Sequence, residues 1–212
     1  MQAVDGIFYV LVLIMSVVVH EFAHGYTAYL FGDNTARHQG RLTLNPIKHI
    51  DLFGSILLPL LLILSNSSFL IGWAKPVPYN PDNLRNPKYS KMLVAISGIL
   101  VNIFLAVVFG LIIRFGTVFG RPPYMADPTL PFYKIATIIV TLNLVLALFN
   151  LVPIPPLDGS KVLFSFLPPR YRHIENFMEK WGFAILLFFL IFIWQYFTPL
   201  IYMAFSLITG VY

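Results

Sequence analysis

The chain has 212 residues, of which 58% are hydrophobic and only 11% charged, and its net charge is +5. Soluble domains carry about 25% charged residues, so this composition excludes a wholly water-facing globule and requires a lipid-facing surface. With no cysteine, disulfides and thiolate metal sites are excluded, and a metal must be held by His, Asp, Glu or carbonyl oxygen. The basic excess lies in short loops between apolar runs, which reads as a topology signal and argues against a nucleic-acid partner.

Five apolar runs stand out against the ~20 residues that a membrane span needs. The first covers about 6–31 and contains His20, Glu21 and His24. Its start lacks the positive charge of a cleaved signal, so it reads as a retained transmembrane helix. The loop 32–51 contains Arg41-Leu42-Thr43-Leu44, whose alternation suggests a short strand. The second run, about 52–71, contains Pro59. Gly72–Asn80 follows, and its Pro76 and Pro78 rule out a helix or a central strand while allowing an extended segment or sheet edge. The third, fourth and fifth runs cover about 92–115, 132–152 and 183–208, the last with a break expected at Pro199.

Loops 32–49, 72–91 and 153–182 are all basic, and positive loops prefer the cytoplasm. The first two flank 52–71, which favours a re-entrant hairpin there, broken at Pro59, with the N-terminus outside. An ordinary span with a weak charge bias remains the alternative. The expected fold is an all-α polytopic bundle with a short strand or re-entrant element near the site. It forms one membrane-embedded domain over 1–212, with a core at about 6–160 and a C-terminal helix at about 183–208. The count of spans, four to six, and the oligomeric state stay open.

His20-Glu21-Phe22-Ala23-His24 is an H-E-x-x-H motif. Residues four apart share a helix face, so both imidazoles can reach one ion, while Glu21 sits one position round where it can touch a metal-activated water. Three ionisable groups in five residues of a membrane helix each cost ~2 kcal/mol or more unless compensated, and a divalent cation compensates them. A hydrolytic zinc needs a third ligand. His38, His49 and His173 lie in basic loops and read as solvated or interface histidines. Asp158 follows a run stiffened by Pro153, Pro155 and Pro156, which can project a carboxylate into the bundle. An Asx turn before the next helix explains Asp158 equally well. Asn102 and Asn150 are candidate donors to a substrate backbone or oxyanion, or plain interhelical bonds. Asn143 favours the interhelical role.

His20-Glu21-x-x-His24, together with Asn150-x-x-Pro153-x-Pro155-Pro156-Leu157-Asp158-Gly159, resembles the site-2 protease family of intramembrane zinc metalloproteases. The resemblance covers about residues 15–160. It implies that Asp158 is the third ligand of one Zn2+ per chain, that Glu21 is the general base, and that the substrate is a transmembrane protein. Ser97-Gly98-Ile99-Leu100-Val101-Asn102 resembles the family's small-Gly-x-x-x-Asn element, with Ile99 where that element usually has proline. Gly72–Pro78 matches a segment of the bacterial and archaeal branch that lacks a PDZ domain, and the chain has no room for one inserted. These features lead to the expectation of a multi-pass cell-membrane protease with its site nearer the cytoplasm. A membrane metal-ion or proton transporter using the same cluster is the competing reading.

Overall fold

The structure is a computed structural model that describes residues 3–57, 61, 64, 65, 73–116 and 131–211. Among the described residues seven α-helices carry the fold: α1 (Ala3–Leu30), the single turn α2 (Thr35–His38), α3 (Pro87–Phe115), α4 (Pro131–Leu151), α5 (Asp158–Phe166), α6 (Arg172–Phe188) and α7 (Thr198–Thr209). Pro87 and Pro131 open α3 and α4 at the first helical position, where a missing N–H costs nothing. Gly210, at φ 73°, closes α7 in the left-handed conformation.

Four stretches among the described residues are long and apolar enough to cross a membrane: Phe8–Leu30, Tyr89–Phe115, Pro131–Leu151 and Arg172–Thr209. Helix α3 is the hub and packs against α1, α4, α5 and α7. Ala106 and Ala136 are fully buried where α3 meets α4, small enough to bring the backbones close. Asn143 on α4 donates to Ser16 Oγ on α1 at 2.9 Å, the interhelical role expected of it. Phe104, Phe183, Ile191, Met203 and Leu207 point outward, as a lipid-facing shell requires.

The ends of the second apolar run meet. The Trp73 N–H donates to Gly54 O at 3.2 Å, Ser55 Oγ donates to Trp73 O at 2.8 Å, and the Phe53 and Trp73 rings lie 5.9 Å apart. A single crossing of a ~30 Å hydrocarbon core would hold its two ends that far apart. The chain instead returns to the side it left, so the basic loops after α1, before α3 and after α4 share one side. Pro59 and Gly72 lie outside the described residues.

Two expectations need correction. No strand forms among the described residues, and Arg41–Leu44 is irregular. Its alternation misleads because Arg41 is buried and turned inward, where its guanidinium donates to Lys75 O at 2.9 Å and Pro76 O at 3.3 Å. A side chain thus makes the bonds that a backbone ladder would have made. The last span begins at Arg172, eleven residues before 183, because α6 opens with polar turns carrying Glu175, Glu179 and Lys180. The break expected at Pro199 is present, with a π turn at Phe189–Ile193 and a 3-10 turn at Trp194–Phe197 before it and Pro199 in the first turn of α7. A proline at 199 cannot bond the carbonyl of Gln195, so the preceding turn rewinds.

Asp33 joins the two basic loops that flank the second run. It is 1% exposed and accepts from Thr35 N, Thr35 Oγ1, Asn83 Nδ2 and Asn80 N at 2.6–3.1 Å. Burial alone would raise its carboxyl, but these four bonds outweigh that and hold it below the ordinary 3.8.

Two outcomes follow. In this cysteine-free chain, Gln39→Cys and Asp82→Cys react with an impermeant maleimide from the same face of sealed vesicles; labelling from opposite faces would restore 52–71 as a simple span. Asp33→Asn lowers stability by about 1–3 kcal/mol at neutral pH. Because the folded carboxyl is depressed, that contribution is present above pH 3.8 and is lost as pH falls through the folded value. Melting of wild type and variant in micelles should therefore converge in acid.

Candidate active site

His20 and His24 lie one turn apart on α1, their rings edge to face with centroids 4.6 Å apart. Helix α4 stops at Leu151, and the proline-rich run that follows (Pro155–Pro156 is a cis peptide) leads to Asp158 at the first position of α5. Asp158 opens α5 at its first position, but its side chain makes no capping or Asx bond there and reaches the imidazoles instead. Its Oδ2 lies 3.0 Å from His20 Nε2 and 2.9 Å from His24 Nε2, and the two nitrogens are 3.1 Å apart. All three residues are buried, and among the described residues they form the one His/Asp/Glu group close enough to share an ion.

The arrangement fits zinc. Ligand atoms ~2.0–2.1 Å from a tetrahedral zinc lie about 3.3 Å apart, a few tenths of an ångström from the spacing here. His24 Nδ1 faces Val94 O at 2.7 Å and must carry the proton to donate there, so in the neutral ring Nε2 offers its lone pair. The Asn102 amide lies 3.2 Å from His20 Nδ1 through Nδ2, while its Oδ1 is buried without a partner. The two ends of an amide are assigned by their bonds, and turning this one over lets Oδ1 accept the Nδ1 proton. Both imidazoles then present lone pairs toward the carboxylate oxygen. Three acceptors packed this closely repel one another unless a cation lies among them.

The neighbouring residues are fitted to this cluster. A Cβ at Gly98 on α3 would stand 2.5 Å from His20 Cε1 and 2.6 Å from His24 Nε2, so only glycine lets α3 pass. Lys161, one turn along α5, donates to Asp158 Oδ1 at 2.9 Å. Burial opposes its charge, but Asp158, Tyr79 and Glu21 outweigh that and raise its ammonium above the ordinary range, keeping it protonated. Lys161 was missed in the sequence, although its i, i+3 spacing from Asp158 marks it. Glu21 Oε2 accepts the Val77 N–H at 2.8 Å. Asn102 is fully buried beside His20, whereas the Asn150 amide donates to Leu146 O in its own helix at 3.0 Å.

The Gly98 contact carries a direct test. Gly98→Ala should lower zinc affinity at least ~10-fold, as displaced ligands do, measured by competition with a chelator. Helical content by circular dichroism should hold, since alanine favours a helix over glycine by about 1 kcal/mol.

Residues 124–193 match the model of the family described as peptidase family M50. The chain is 41% identical over 178 residues to YwhC of Bacillus subtilis, a candidate zinc metalloprotease by its name, covering 84% of this chain and 77% of that protein. It is 31% identical over 178 residues to Rip2 of Mycolicibacterium smegmatis, covering 84% of this chain and 64% of the relative. It is also 29% identical over 171 residues to Rip2 of Mycobacterium tuberculosis, covering 79% and 61%. Both Rip2 proteins carry the same designation as YwhC. No solved structure matches the chain. The likeness to YwhC over most of both chains, with the family match across the segment that bears Asp158, makes this chain a member of peptidase family M50, the site-2 protease family of membrane zinc metalloproteases.

Proposed function

We propose that the chain hydrolyses peptide bonds of transmembrane proteins within the bilayer, with His20, His24 and Asp158 holding one zinc ion and Glu21 as general base. The convergence of His20 Nε2, His24 Nε2 and Asp158 Oδ2 within 3.1 Å, with Glu21 on the adjoining face of α1, is the observation that carries the reading. Zinc, when bound, supplies Lewis acidity, bringing a water's pKa toward about 7 and polarising a carbonyl.

The protein groups do the rest. With Oε2 of Glu21 held by the Val77 N–H, Oε1 takes the proton from the attacking water and later hands it to the leaving amine. Lys161 holds the outer oxygen of Asp158, leaving the inner one for the metal. Asn102 lies against His20, so we assign it to fixing that ring's tautomer in place of an oxyanion role. Asn150 can serve the substrate only by releasing Leu146 O.

His20 lies ten residues before the end of α1 at Leu30, a depth of about 15 Å at 1.5 Å per residue. The basic loops share that end, which supports a cytoplasmic orientation. A substrate helix must unwind there, because its peptide groups are otherwise engaged in its own hydrogen bonds.

The test uses protein reconstituted with a membrane-embedded peptide. Glu21→Gln should keep one zinc per chain while cleavage falls by about 10²–10⁴-fold. Cleavage that persists in Glu21→Gln would remove the base. Metal flux in sealed vesicles surviving the same substitution would identify a transporter.

A further inference from the structure

A strap of extended backbone, Lys75–Asn80, crosses the catalytic end of α1. It is pinned at both ends by groups already described. The Lys75 N–H donates to His49 O at 2.8 Å, and the buried Arg41 guanidinium takes the carbonyls of Lys75 and Pro76. The Asn80 N–H donates to the buried Asp33 at 2.7 Å. Pro76 and Pro78 have no N–H, so Val77 carries the single donor of the central three residues, and that donor meets Glu21 Oε2 at 2.8 Å. The Val77 side chain is 5% exposed and lies so close to α1 that a Cβ on Gly25 would stand 2.6 Å from its Cγ1. Gly25 is one helical turn beyond Glu21, on the same face. The contact with Gly25 thus sets the height of the strap over the helix, and the hydrogen bond sets the carboxylate.

We propose that this strap is a positioning element for the general base: the Val77 backbone N–H fixes the Glu21 carboxylate so that one oxygen is held and the other faces the reacting water. A glutamate alone at this position would sample several rotamers, and ordering it costs entropy at each turnover. The strap meets that cost once, in folding. The flanking prolines suit the task, since each locks φ near −65° and keeps the residue before it extended, holding the donor's direction without a sheet. From Lys75 to Asn80 the Lys75 and Asn80 N–H groups tie the ends to the neighbouring loops, Pro76 and Pro78 have none, and the Val77 donor is committed to α1. The inference rests on the protease reading for the role of Glu21, but its geometry is tested separately.

Two measurements on the full zinc-loaded protein decide it. In the first, amide hydrogen exchange is followed in nanodiscs for wild type and Glu21→Ala. Exchange at Val77 should accelerate at least ~10-fold, while Lys75 and Asn80 keep their rates. An unchanged Val77 rate, or an equal acceleration of all three, overturns the proposal. In the second, the Pro76–Val77 amide is replaced by an ester, which removes that N–H, leaves the Val77 side chain intact and weakens Pro76 O as an acceptor, while the shorter Arg41 bond to Lys75 O is kept. We expect kcat to fall about 10–100-fold, the loss of a hydrogen bond to a charged group, with KM and zinc content within twofold of wild type. A wild-type kcat in the ester protein, or a loss explained by departed zinc, overturns the positioning role. A wild-type protein that cleaves no membrane peptide counts against the protease reading alone.

Discussion

Two imidazoles and a carboxylate meet inside a bundle whose other surfaces face lipid, and there such groups are costly unless a cation joins them. Much of the architecture serves that meeting. The hub helix α3 approaches α1 closely because Gly98 leaves room for both rings. The same helix supplies Val94 O and Asn102, which fix the two histidines through their outer nitrogens. The prolines after α4 stop that helix at a depth where the next one begins with Asp158. Removing any one of these leaves buried polar atoms facing one another without a partner.

The apolar part of the fold was readable because a span demands an unbroken run of suitable length. The helices at 3–30, 87–115 and 131–151 sit within a few residues of their expected bounds. The His-Glu pair was readable for a related reason, since i, i+4 spacing acts within one helix and needs no tertiary knowledge. Asp158 was legible only in part. Spacing allowed a turn or a ligand, and it took the contact across 134 residues to His24 to reveal where the carboxylate points.

At Arg41–Leu44 a long-range side-chain bond replaces a local backbone one. Arg41 looked like an alternating strand residue or a loop charge, but its partner lies 34 residues on. The start of the last helix was placed late because hydropathy sees only the apolar part, whereas α6 begins among charges that need no lipid. Asn102, open in the sequence between a substrate donor and an interhelical bond, lies against His20 on the neighbouring helix, a direction of the side chain that spacing does not carry.

The tie between residues 54–55 and Trp73 has a consequence for how such a chain can change over time. Because the intervening stretch departs and returns at one place, its length does not affect how many times the rest of the polypeptide traverses the bilayer. Residues can be gained or lost there without inverting α3, α4 or the carboxylate they deliver. The stretch is thus a module open to variation, attached beside a catalytic core that must keep its handedness.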